Sequence, residues 1–428
     1  MVHSKPIYIF LLLILLSSLS SCNLPLSTTA PTPTQTSAPI PFPSSTPTEI
    51  PTLEPTIAPS PISIDSSTAT PIKTSLYLPN GIATYPSGGG RVTYYDLQGQ
   101  LLGELPASNL GIGTFQQAAI AGALTYSPGP LLPPLVYYEF ENGGELWLNT
   151  NNNTSLLKAA PNLLNLIGVP GKSLMAFTLL EYSDIGLISH LYLGDPQTLP
   201  SAIPILENTN TESYAIMPLA ISMSDDQAVG VWYTTVPYGI GGDIVFDPRQ
   251  ALDYYDLNEK QFKTYLDMGK GPTGISDDQT WVAYTPAEGN GPLSIVHDFD
   301  FSTSITFPLR EDSDRGSGDA VFSPDNLYVA WREASGSITG LPTPFHETIR
   351  IATVDGNILT EVPDTSLINI SGFPEISWAI PIGWLDAQTL ALEVRGSNWD
   401  TACILSVKFD GSGLSFISPG SFIGFLYP

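Results

Sequence analysis

The side chains that could carry chemistry are scarce, apart from carboxylates. Histidine occurs at His3, His190, His297 and His346. No HxH or HExxH spacing joins them, so no histidine-rich metal site is expected, and His190 and His297 read as half-buried residues of two separate hairpins. The densest acidic run is Glu311 to Asp319, in which Glu311, Asp312, Asp314 and Asp319 offer the hard oxygen ligands that calcium takes. Their spacing departs from the twelve-residue calcium loop, and a solvated turn is the competing reading. Ser317 stands between two glycines but lacks the strand-to-helix setting of a nucleophile elbow. Two convergent carboxylates would suffice for glycoside hydrolysis, yet with 41 acidic residues their presence discriminates nothing. No catalytic residue, metal site or cofactor is assigned, and a non-enzymatic role is favoured. Cys403 sits in the apolar run Ala402–Val407 and reads as a buried thiol without a partner. Tyr94/Tyr95, Tyr137/Tyr138 and Tyr254/Tyr255, with Trp232 and Trp331, are either a carbohydrate platform or rings buried on both faces of a sheet. The Gly- and Pro-rich stretches Val236–Asp247 and Gly336–Phe345 are the expected contact loops.

These residues need elements to position them, and the elements repeat. Ser323-Pro324-Asp325-Asn326 is a turn: Pro fixes φ, and Asp and Asn tolerate turn geometry. Leu327, Val329 and Trp331 then alternate with Tyr328, Ala330 and Arg332, the two-residue period of a strand. Copies run from Ser224 to Trp232, from Ser276 to Tyr284 and from Trp384 to Leu392, and their aspartates Asp226, Asp278, Asp325 and Asp386 lie 52, 47 and 61 residues apart. These turn residues are assigned a structural role. A second signal is independent of the first. Seven strand-like runs end in a polar turn: Val92–Asp96, Leu146–Asn149, Leu191–Asp195, Tyr254–Asp256, Ser294–Asp298, Ile349–Asp355 and Ile404–Asp410. Each is followed by a short apolar stretch that would be an outer strand.

The S-P-D-x turn followed by an apolar strand resembles the TolB-type, WD-like propeller repeat, over roughly residues 76–428. The pattern differs in having Asn326 where that family usually has Gly, and the copies at Val169-Pro170-Gly171-Lys172 and near Ser127-Pro128-Gly129 are degenerate. The resemblance implies an all-β β-propeller of four-stranded antiparallel blades, and the seven hairpins counted above set the expected number at seven, with six or eight blades as alternatives. Propellers of the prolyl-peptidase type carry a hydrolase domain after the propeller, and no such segment follows here. The first strands, Ile82–Tyr85, Arg91–Tyr95 and Leu101–Leu105, lack an inner strand of their own. The apolar stretch Phe422–Pro428 would supply it and close the ring.

Before this domain, Ile7–Leu16 is an unbroken apolar run behind Lys5, shorter than the roughly 20 residues needed to span a bilayer. Leu19-Ser20-Ser21-Cys22 then resembles the bacterial lipobox, which implies cleavage before Cys22 and lipidation of its thiol. The division expected is a leader at 1–21, a Pro/Thr/Ser-rich disordered tether at 22–72, and the propeller at 73–428. Net charge is −26, which argues against nucleic acid and against electrostatic docking on anionic lipid. The expected protein is therefore exported and held to membrane lipid through Cys22, facing the extracytoplasmic side. Its role there is to bind a protein, peptide or glycan. The alternative is a surface lyase or hydrolase acting on polysaccharide or peptide.

Overall fold

The computed structural model describes residues 78–107, 118–121, 132–139, 143–151, 153–210, 214–238, 245–287, 289–337, 345–397 and 401–428. The expected leader, Cys22, the tether and the degenerate cassette at Ser127–Gly129 lie outside the described residues. What is described is a seven-bladed propeller in which each blade is a four-stranded antiparallel sheet.

From the axis outwards, blade 2 comprises Ala118–Ile120, Leu135–Glu139, Glu145–Asn149 and Thr154–Ala159. Blade 3 comprises Leu163–Gly168, Met175–Ser183, Gly186–Gly194 and Leu206–Asn210. Blade 4 is Tyr214–Ser224, Gln227–Pro237, Gln250–Asp256 and Gln261–Leu266, and blade 5 is Lys270–Ile275, Trp281–Pro286, Ser294–His297 and Ile305–Thr306. Blade 6 is Gly316–Phe322, Tyr328–Ser335, His346–Thr353 and Ile358–Pro363. Blade 7 is Ile376–Trp384, Thr389–Gly396, Ala402–Lys408 and Ser415–Pro419. The seven polar-ended runs read from the sequence are the third strands of the seven blades, and the cassette turns join inner to second strands.

Blade 1 takes its inner strand, Ser421–Leu426, from the far end of the chain. Outside it lie Gly81–Tyr85, Arg91–Asp96 and Leu101–Pro106. Gly81 pairs with Leu426, Ile82 with Phe425 and Tyr85 with Ser421. Asn80 adds a further bond from its N–H to Leu426 O at 2.8 Å. The expected closure is therefore present, and both edges at the seam are paired.

The core is divided among the seams. Val92, Tyr94, Leu135 and Tyr137 fill the seam of blades 1 and 2, Trp232, Leu252, Val282 and Val296 that of blades 4 and 5, and Ile349, Ile351, Leu392 and Leu405 that of blades 6 and 7. Ile82 with Ala391 and Ile404 closes the last seam. Each blade thus needs only its two neighbours, which lets more than 300 residues fold without one oversized core. The inner strands of blades 3 to 7 share an irregularity of register in mid-strand. In blade 6 it places Asp319 at φ 52° and re-aims its carboxylate. Among the described residues, the α-helix α1 (Asp364–Ser371) lies between the outer strand of blade 6 and the inner strand of blade 7 and ends at Gly372 with φ 73°.

Candidate functional site

An antiparallel meander puts the inner-to-second and third-to-outer turns on one side of the ring, here termed the turn face. The second-to-third connections lie on the other side, the loop face.

The cassette residues sit in the inner-to-second turns, on the turn face. Ser323 Oγ donates to Asp325 Oδ1 at 2.6 Å and accepts from Tyr328 N–H at 2.9 Å, while Leu327 N–H donates to Asp325. Pro324 starts the turn. Ser276 and Asp278 repeat the arrangement, and Asp386 accepts from Gln388 and Thr389 N–H, both at 2.7 Å. Asn326 occupies φ 56°, the left-handed position where Gly is usual. Its side chain adds what Gly could not: Nδ2 donates to Asp278 Oδ2 of the preceding blade at 2.7 Å. Burial works against the Asp278 anion, but donors from Ser276, Thr280 and Asn326 hold its carboxyl below the usual range. Asp226 differs from the others. It caps nothing in its own turn and instead pairs with Lys172 Nζ of blade 3 at 2.5 Å, which lowers its pKa.

The third-to-outer turns are also capped by aspartates. Asp96, Asp256 and Asp410 each accept backbone N–H groups two to four residues on. Six turn-capping aspartates therefore lie on this face.

At the centre of that face the channel ends in a recess of about 130 Å³. Its walls are Ile120, Val169, Pro170 and Ile382 with Phe422, Phe425 and Tyr427. A pocket for a small organic ligand spans about 300 Å³ or more, so this space suits a single side chain. Tyr427 is pushed well above the usual tyrosine range by burial and by the Asp277 carboxylate. Asp277 is itself raised by desolvation and then by Asp278, although it is exposed to solvent.

The loop face holds a different arrangement. Arg332 is 2% exposed and donates to Asp319 Oδ2, to Glu347 Oε1 and, at 2.8 Å, to Val245 O. Its guanidinium lies 4.6 Å from the Phe246 ring centroid and 4.5 Å from that of Trp378. Glu347 also accepts from Ala379 N–H. Burial raises Glu347 to about 7 against the lowering pull of Arg332. Beside it, Glu333 gathers Arg350 Nη1 at 2.5 Å, Ser313 Oγ at 2.9 Å and Arg310 N–H at 3.0 Å.

Val245 and Phe246 come from the second-to-third connection of blade 4 and reach blade 6, where a Cβ on Gly318 would approach Phe246 to 2.4 Å. Val245 and Phe246, at one end of the expected contact loop Val236–Asp247, are buried against Ala334, while 239–244 lie outside the described residues. Of Gly336–Phe345, only Gly336, Ser337 and Phe345 are described.

The acidic run Glu311–Asp319 does not converge. Asp312 pairs with Arg310, Asp314 accepts from Gly336 N–H, and Asp319 faces Arg332. Among the described residues no group of three or more His, Cys, Asp or Glu is placed to hold a metal. Ser317 is fully buried and donates to Gly291 O of blade 5 at 2.8 Å. The three described histidines lie on three blades. His190 is 3.0 Å from Glu207, the His297 ring lies tilted 4.7 Å from that of Trp281, and His346 bonds Asp364 at 2.8 Å. Cys403 is buried and free, its thiol pushed up to about 12 by desolvation and Glu393. Tyr137 and Tyr138 are both buried, as are Trp232 and Trp331, which fits rings enclosed between blades.

Sequence reading missed the recess and the Arg332–Glu347 pair. The one signal for the pair was Arg332-Glu333 continuing an apolar strand, and no signal marked Tyr427.

No family model and no curated protein matches the chain. Among solved structures, TolB from Acinetobacter baumannii is similar over 78% of this chain and 79% of its own, at 14% identity and a TM-score of 0.39. A prolyl endopeptidase is similar over 80% of this chain, which spans 50% of that protein's length, at 10% identity and a TM-score of 0.49. Hydrazine synthase of Kuenenia stuttgartiensis is similar over 79% of this chain and 97% of its own, at 11% identity and a TM-score of 0.41. Identities this low carry nothing about activity, substrate or partner.

Proposed function

We propose that this chain is an exported, lipid-anchored binding module that presents the turn face of a seven-bladed propeller to a protein or peptide at the cell envelope. The apolar run Ile7–Leu16 and the sequence Leu19–Cys22 support export and acylation of Cys22. The binding role is carried by one observation: a recess sized for a single side chain, walled by Ile382, Phe422 and Phe425, opens where the channel meets the turn face. A concave apolar pocket that admits one side chain is how an interface takes an anchor residue. Among the described residues no helix is long and apolar enough to cross a membrane, and Cys22 with its lipid would be the attachment.

The test uses the detergent-solubilised full-length chain on a peptide array, beside a glycan array and a panel of polysaccharide substrates. The reading expects peptide capture that Ile382→Trp, which fills the recess, abolishes. Turnover of a polysaccharide or peptide, or capture insensitive to Ile382→Trp, would overturn it. Mass spectrometry of the mature N-terminus tests the anchor, which an unmodified Cys22 would refute.

A further inference from the structure

The degenerate cassette of blade 3 keeps the turn and changes its side chains. In blade 6 two backbone bonds close the turn, from Ser323 N–H to Tyr328 O and from Asn326 N–H to Ser323 O, both at 2.9 Å. In blade 3 the same two bonds run from Val169 N–H to Leu174 O at 2.9 Å and from Lys172 N–H to Val169 O at 3.0 Å. Val169 therefore stands where Ser323 does, and Gly171 where Asp325 does. Serine and aspartate suit such a turn, as the bond from Ser323 Oγ to Asp325 shows. What their replacement alters is the recess, because Val169, Pro170 and Gly171 all line it. Ile120, Ile382 and Phe425 complete the wall, and among the described residues no charged side chain lines the space. Blades 4 to 7 differ: each keeps an aspartate in the corresponding turn, at Asp226, Asp278, Asp325 and Asp386.

From this geometry we infer that the recess is a neutral socket for an aliphatic side chain of leucine's size on the partner polypeptide, and that the Val-Pro-Gly cassette of blade 3 is what keeps it neutral. This rests on the binding-module reading above and adds the chemistry of the anchor. The charge pattern of the turn face decides the class of side chain. Carboxylates stand in the turns of blades 4 to 7, whereas the recess walls offer none. An ammonium or carboxylate entering the recess would shed water and gain no charged partner, while an aliphatic chain sheds only water it is better without. Volume then sets the size. An apolar cavity of about 150 Å³ holds one benzene, so about 130 Å³ takes a leucine side chain and excludes an indole.

The experiment is a calorimetric titration of the full-length chain with capped pentapeptides that differ only in the central residue: leucine, tryptophan, lysine, glutamate or alanine between two alanines on each side. The leucine peptide should bind about tenfold or more tightly than the alanine, lysine and glutamate peptides, and the tryptophan peptide no better than alanine. Val169→Ser with Gly171→Asp restores the Ser-Pro-Asp of blade 6 and should remove the preference for leucine over lysine. Aspartate tolerates the left-handed backbone at position 171, φ 66°, and circular dichroism checks the fold of the variant. Ile382→Trp, on a different blade, should abolish leucine binding independently. Lysine or glutamate bound as tightly as leucine by the unaltered chain would overturn the neutral socket, as would a leucine preference that survives both variants. Capture on the peptide array described above without any binding of these pentapeptides would overturn this inference alone. Failure of both would overturn the reading beneath it as well.

Discussion

Replacing Arg332 by methionine should reveal how much of blade 6 depends on one enclosed cation. The change keeps most of the side chain's volume between Phe246 and Trp378 but strips the positive charge from two carboxylates. Asp319 retains some access to water, with 24% of its side chain exposed, whereas Glu347 has 2%. Removing one partner of a buried ion pair costs about 3–5 kcal/mol, because the charge left behind has no compensation.

The structure also bounds that cost. Glu347 can escape by taking up a proton, and holding it costs about 1.4 kcal/mol per pH unit above its ordinary 4.5. The wild-type chain already bears this cost up to its folded value of about 7, so the extra cost in the variant is capped at about 1 kcal/mol at pH 8 and is absent at pH 5. The sign follows from the raised pKa. A carboxyl whose folded pKa exceeds its unfolded value stabilises the fold below about 4.5 and loses that contribution as pH rises through the folded value. The Arg332→Met deficit should thus be about 1–2 kcal/mol at pH 5, from lost stacking and hydrogen bonds, and larger by about 1 kcal/mol at pH 8. Urea unfolding followed by tryptophan fluorescence, at pH 5 and pH 8, measures this directly. A double variant, Arg332→Met with Glu347→Leu, removes the stranded charge and should abolish the extra loss seen at pH 8. A deficit independent of pH, or two effects that simply add, would refute the assignment of a buried, charge-coupled pair.

Three further outcomes follow from the fold. Truncation after Gly420 deletes the inner strand of blade 1 and uncovers Ile82, so the melting temperature should fall by more than about 10 °C; an unchanged melting curve would contradict the closure. Asn326→Ala should cost about 1–2 kcal/mol in urea unfolding, from the left-handed backbone and the lost bond to Asp278, and Asn326→Gly clearly less; equal losses would place the effect elsewhere. Cys403, with its thiol pushed up to about 12 and its side chain enclosed, should resist a disulfide-exchange reagent at pH 8 until the chain unfolds, and rapid labelling of the native protein would show the strand to be open.

The sequence was informative wherever the chain had to turn. Proline, aspartate, asparagine and glycine are chosen by local backbone geometry, so Ser323–Asn326 and the ends of the seven third strands could be read without knowing what surrounded them. Counting those ends gave the blade number, and the unpaired first strands with the apolar terminus gave the closure. The alternation in Leu327–Arg332 was less useful than it looked. The strand that follows this turn is buried on both faces from Val329 to Ala334, so Arg332 and Glu333 are as enclosed as Trp331. Polarity there reports a partner, and the partner lies far along the chain.

By itself, then, the sequence determined the repeat, the turn chemistry, the ring and the acidic excess, because each depends on neighbours within a few residues or on a period. Only the tertiary structure decided which groups meet: Arg332 with Val245 and Glu347, Asn326 with Asp278, and the convergence of Ile120, Ile382 and Phe425 on one recess. Such meetings arise when strands dozens or hundreds of residues apart are brought side by side around the axis, and no local preference of the chain encodes them.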